Sequence, residues 1–166
     1  MDTYFDLGEY SFPVTTQSTE AQKWFDRGIL WTYGYNHEEA VMCFERAIGA
    51  DPKCAMAYWG AGYASGPNYN MPWDLFDYAG RAAAAGAGYA HARKALDMID
   101  GVTRWEAALI NALPARYPQP EPLDPEVMKA WNVDFADAMR DVFAVHPESH
   151  EVRTVFAESL LNLTPW

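Results

Sequence analysis

His37 and Glu38 place an imidazole and a carboxylate side by side in the short segment Tyr35-Asn36-His37-Glu38. Further along, Gly66-Pro67-Asn68-Tyr69-Asn70-Met71-Pro72-Trp73 adds amides, a phenol and an indole. Brought together, His37, Glu38, Asn68, Tyr69, Asn70 and Trp73 would make a polar rim with one titratable ring and aromatic walls. Such a rim suits a small ligand or a metal ion. The same residue types also fix loops, because amide side chains bond nearby backbone groups, so a purely structural reading stands beside the functional one.

Other groups capable of chemistry are sparse. His146 and His150 are spaced like a helical metal pair, but Pro147 between them puts His146 outside the helix that holds His150, so the two do not face one site. Cys43 and Cys54 are the only cysteines. Each reads as a reduced packing residue, which fits a cytoplasmic setting, and two thiols alone do not complete a structural zinc site. The chain contains no Gly-rich phosphate loop, nucleophile elbow or HExxH motif, so neither a metal nor a cofactor is implied.

The 166 residues suffice for one domain with a substantial core, and half of them are hydrophobic. A formal net charge of −11 disfavours binding to phosphate backbones, which needs clustered Lys and Arg. Apolar runs are broken by Gly, Asp or Arg well short of a membrane span, and the first residues lack the basic and apolar regions of a signal peptide. Neither nucleic acid nor membrane is therefore expected as a partner.

The elements that must position these groups read as helices throughout. Residues 1–18, with Pro13 and a Thr/Ser-rich stretch, form an extended arm. Thr19 to Gln22 fits a capping box that opens a helix over 20–33, and Gly34-Tyr35-Asn36 breaks it. A second helix covers 37–48 with Val41, Phe44 and Ile48 on its core stripe, and a third covers 53–64. Residues 65–73 are a turn-rich insert, since Pro67 and Pro72 cannot continue a helix. One long alanine-rich helix is expected over 74–99. A second capping box, Thr103 to Glu106, opens a helix over 103–115. Asp124-Pro125-Glu126 opens another that runs to about Val145, and the last covers 148–163. Its apolar residues Val152, Val155, Phe156, Leu160, Leu161 and Leu163 lack a following helix to cover them. The chain thus reads as part of a longer assembly, or as one that self-associates through this helix.

Trp24, Gly28, Trp31, Ala40, Phe44, Ala47 and Pro52 recur at fixed steps, and advancing by thirty-four residues restarts the frame at Tyr58 and Gly62. In this the sequence resembles the tetratricopeptide-repeat family. Arg27 departs from it, standing where that family usually has Leu. A closer likeness, through Gly34 to Ala40 and Gly66 to Asn70, is to bacterial and fungal members whose functions are mostly unassigned and which usually continue with further repeats. The resemblance implies an all-α, right-handed superhelical solenoid of antiparallel helix pairs, about seven helices over 19–166, forming the N-terminal part of a longer solenoid.

The family's geometry would gather the turns between paired helices on one edge, bringing His37 and Glu38 near Asn68–Asn70 and Trp73. It would also line the concave face with Gln22, Phe25, Ile29, Trp59 and Tyr63, an aromatic strip able to hold a peptide. The leading expectation is thus a non-enzymatic scaffold that binds a protein or peptide partner on that face. The alternative is a small-molecule or metal-binding protein, with or without catalysis, that uses the rim.

Overall fold

Helix α1, Thr19–Tyr33, begins one residue earlier than expected, because Ser18 is its cap: the Ser18 hydroxyl accepts the Ala21 N–H at 3.1 Å. Gln22, the far member of the expected box, is used differently and bonds the arm. This computed structural model describes residues 4–165; Met1 to Thr3 of the expected arm and Trp166 at the end of the expected repeat domain lie outside the described residues. Helix α2 spans His37–Ala50 and is capped by Asn36, whose side chain accepts the Glu39 N–H. Helix α3, Ala55–Ser65, buries nearly every residue, as expected of an apolar helix enclosed on all sides.

After α3 the insert turns sharply. Asn68 and Met71 exchange backbone hydrogen bonds, and a 3-10 turn follows at Trp73–Leu75. Helix α4 therefore starts only at Tyr78, where Asp77 accepts the Gly80 N–H at 2.7 Å, and runs unbroken to Leu96. The expected start at residue 74 is corrected accordingly.

Helix α5, Arg104–Ala112, opens as read, with the Glu106 carboxylate taking the Thr103 N–H at 2.8 Å. It stops early because Pro114 has no N–H to continue it, and Leu113–Arg116 tightens to a 3-10 turn. Helix α6, Pro125–Val145, has the expected Asp124 cap and first-turn proline. Helix α7, His150–Leu161, is capped by Ser149 and so begins two residues later than expected.

The described residues form an all-α protein of seven α-helices with no strand, and no helix is long and apolar enough to cross a membrane. Successive helices α1 to α4 pack side by side, and α6 packs on α7. The expected lack of cover for α7 is half right. Val152 and Val155 are buried and Phe156 stacks on Phe143 of α6, whereas Leu160, Leu161 and Leu163 stay exposed.

Two aromatic wedges set the spacing of the core. Phe44 of α2 sits where a Cβ at Gly28 or at Gly60 would come within 2.6 or 2.4 Å of its ring. Tyr117 fills a slot between α3 and α4 where a Cβ at Gly88 would clash at 2.4 Å, and it donates to the Gly62 carbonyl at 2.8 Å.

Candidate functional site

The turn between α1 and α2 brings the first component. Trp31 and Thr32 accept hydrogen bonds from the N–H groups of Asn36 and Tyr35, which closes the helix in a Schellman motif. Its left-handed position, usually glycine, is Tyr35, with φ of 59°. The Tyr35 ring thereby lies 6.1 Å from that of His37. From α3 comes Tyr63, buried and stacked on Trp59 at 5.2 Å. From α7 comes Glu158, which accepts the Tyr63 hydroxyl at 2.7 Å and the Asn162 amide at 2.7 Å.

Tyr35, His37, Tyr63 and Glu158, with Thr32, Tyr33, Arg153, Thr154, Ala157 and Leu161, line a partly open cavity of about 380 Å³. A second groove, of about 650 Å³, is lined by Tyr35 and His37 together with Glu38, Val41, Met42, Gly66, Asn68 and Met71. The cavity therefore brings together one residue of the expected concave set, Tyr63, and one of the expected rim, His37, while the groove joins His37 to Glu38 and Asn68 of that rim.

Of the remaining rim residues, Glu38 and Asn68 line the groove beside His37, and Tyr69, Asn70 and Trp73 do not. Glu38 is exposed at the groove, and Asn68 spends its side chain on its own turn, accepting the N–H groups of Asn70 at 2.9 Å and Met71 at 3.1 Å. Tyr69 and Asn70 line neither space. Trp73 is not on the rim: it is fully buried, edge-on to Trp131 at 6.1 Å, because the 3-10 turn folds it into the core.

The concave strip is likewise not an open surface. Phe25, Ile29, Trp59 and Tyr63 are each at most 3% exposed, since the arm and the later helices pack over them. Gln22 is half-buried and bonded to the arm.

Behind Tyr63 lies Arg116, which no motif or spacing singles out. It is buried, its guanidinium stands 4.9 Å over the Tyr63 ring and 5.1 Å over that of Phe135, and one of its amino groups donates to the Pro67 carbonyl. Its Nε and Nη1 have no acceptor in good geometry among the described residues. Burial opposes the charge, yet Tyr117, Glu158 and Tyr63 together hold the Arg116 pKa above its ordinary value.

Burial, reinforced by this Arg116 charge, pushes the His37 pKa down to about 4 against a smaller upward pull from the Tyr35 backbone. At neutral pH His37 is an uncharged imidazole. Burial and the nearby Glu158 push the Tyr63 phenol well above its usual range.

The site thus keeps its phenols protonated and its imidazole neutral. It offers hydrogen-bond partners and ring faces, and no activated nucleophile. Among the described residues no three His, Cys, Asp or Glu side chains converge as metal ligands.

Comparison adds no relative. No protein-family model matches the chain, and no curated protein or solved structure is similar to it.

Glu158 and Arg116 escaped the sequence reading because they lie on a helix and a turn far from His37 along the chain, and Tyr33, only four residues before His37, read simply as the end of a helix. One signal was legible: an aromatic directly after the helix-ending Gly34 and before the capping Asn36 marks a side chain forced outward at a turn.

Proposed function

We propose that this protein binds a small, neutral aromatic molecule bearing a hydroxyl or N–H donor in the cavity between the α1–α2 turn, α3 and α7. The observation that carries this is the convergence of Tyr35 of the α1–α2 turn, His37 of α2, Tyr63 of α3 and Glu158 of α7 on one partly open cavity of about 380 Å³. That size falls in the range of small-ligand sites. Tyrosine faces supply stacking surface. Glu158 keeps lone pairs beyond the two it gives Tyr63 and Asn162, and neutral His37 can accept another proton donor. A neutral ligand suits the site because Arg116 and Arg153 oppose a cation while Glu158 opposes an anion.

The thirty-four-residue spacing from Trp24 to Tyr58 and the side-by-side packing of successive helices support reading the helix pairs as tetratricopeptide-like repeats in a superhelical scaffold. A reducing, cytoplasmic setting suits Cys43 and Cys54, both buried free thiols.

The probes are 4-methylphenol and indole, titrated into the protein and followed by ligand-observed NMR. Saturable binding is expected, and it should vanish in Ala157→Trp, which fills the cavity from an exposed position without touching the core. Absence of binding by both probes, or binding unchanged in Ala157→Trp, refutes the proposal.

A further inference from the structure

The 3-10 turn at Trp73–Leu75 carries Trp73 inward beside α6, where its ring meets Trp131 at 6.1 Å and Phe76 at 5.6 Å. A buried indole normally gives its N–H to an acceptor. Trp73 is fully buried, yet its Nε1 has no acceptor among the described residues. Asn162, which caps the end of α7, shows the complementary fault. Its Nδ2 donates to Glu158 at 2.7 Å, which fixes the orientation of the amide and turns Oδ1 the other way. That oxygen is buried and has no donor among the described residues.

Trp73 and Asn162 line one cavity, of about 500 Å³, between this turn, α6 and the segment after α7. Asn132 of α6 lines it too and is only 6% exposed. Its amide makes one hydrogen bond among the described residues, to the Asn162 carbonyl at 3.5 Å, beyond the usual length.

Buried polar atoms without partners are uncommon in folded proteins. A lone donor and a lone acceptor on residues of one cavity call for a group that supplies the opposite of each. A carboxamide does so from a single planar unit, its C=O taking the Trp73 N–H and its NH₂ giving to Asn162 Oδ1. A ketone or carboxylate has no N–H to give, and an ammonium group has no lone pair to accept with. Charge at the mouth is already balanced, because Lys129 is held by Glu126 at 2.7 Å and by Asp74 at 3.7 Å. Pro72, Val133, Leu163 and Pro165 offer apolar wall to the rest of a ligand.

We infer that this cavity binds a small neutral molecule through a primary carboxamide. Trp73 is its donor and Asn162 its acceptor, and Asn132 turns from its long contact to bond the same group. The site shares no lining residue with the cavity beside His37, so the inference stands apart from the function proposed there.

The test titrates cyclohexanecarboxamide into the isotope-labelled full chain and follows the Trp73 indole N–H in proton–nitrogen correlation spectra. The probe is not aromatic and so lies outside the ligand class proposed for the other cavity. A saturable shift of the Trp73 signal is expected. Cyclohexyl methyl ketone, alike in shape but without the N–H, should bind at least about tenfold more weakly. Trp73→Phe should weaken the carboxamide by a similar factor, read by ligand-observed NMR. Asn132→Ala takes its place if circular dichroism shows Trp73→Phe to be unfolded. Val133→Trp, which fills the cavity from a position 46% exposed, should abolish binding, while Ala157→Trp should leave it unchanged. An unmoved Trp73 signal would overturn the inference and leave a trapped water as the partner of both atoms. Equal binding of the ketone, or carboxamide binding that survives Val133→Trp, would overturn it as well. So would binding lost in Ala157→Trp, by assigning the probe to the cavity beside His37.

Discussion

Tyr35 occupies a backbone position that favours glycine, while Gly34 beside it has an ordinary φ of −82°. A left-handed conformation costs a non-glycine residue about 1–2 kcal/mol. The order Gly-Tyr in place of Tyr-Gly therefore gives up stability and sets an aromatic ring against His37 at the cavity mouth. Strain of this kind gathers at binding sites, where the surrounding structure over-determines it. Tyr35→Gly is expected to raise stability by about 1 kcal/mol, seen as a higher melting temperature, while weakening 4-methylphenol binding. Stability and binding moving in opposite directions is the signature; a variant that loses both would mean Tyr35 acts as packing alone. Arg27 has a similar explanation at this scale. It places a guanidinium between the Tyr4 and Trp24 rings, at 4.3 and 4.5 Å, where an uncharged aliphatic side chain could not hold the arm in that way.

Between elements, the decisive contact is Phe44 of α2 held against Gly28 of α1 and Gly60 of α3. The period read from the sequence pairs Gly28 with Gly62, yet Gly62 faces Leu113 and His91, and Gly60 meets the ring. Both glycines are small for packing reasons, but the partner of each depends on how α3 is rotated, which no local pattern records. Gly60→Ala would set a Cβ about 2.4 Å from the Phe44 ring. It is expected to destabilise the protein by about 1–3 kcal/mol, the usual cost of overpacking, with the loss read from urea unfolding. Gly49→Ala, at a position with open space, should be neutral or slightly stabilising in the same assay. Helix boundaries were legible wherever a cap was written locally, as at Asp124-Pro125 and Thr103 to Glu106. They were misread where two hydroxyls compete, as at Ser18 and Thr19, or where a 3-10 turn intervenes, as before Tyr78.

Across the whole molecule, protonation and stability are linked through the buried imidazole. An unfolded chain takes up a proton on His37 near pH 6.5, whereas the folded protein resists it until about pH 4. Between those values the unfolded state binds more protons, so stability falls as pH falls, by up to about 3 kcal/mol from this group at pH 4. Burial of His91 acts in the same direction. His37→Gln should therefore lose less stability than the unaltered protein between pH 7 and pH 4.5, compared by thermal melts at both values. Equal losses would mean that His37 is not the neutral, buried group described.

By itself the sequence determined the helical composition, most caps and turns, and the small residues that let helices approach. Each of these is set by neighbours within a few positions, through propensity, capping and side-chain periodicity. Tertiary structure alone decided the site. Which glycine meets Phe44, the burial of Trp73 and Arg116, the convergence of Glu158 with Tyr63 and His37, and the arm lying against Gln22 all join residues far apart in the chain. Their juxtaposition follows from how the helices rotate and stack to close the core, a property of the assembled molecule that no single stretch encodes.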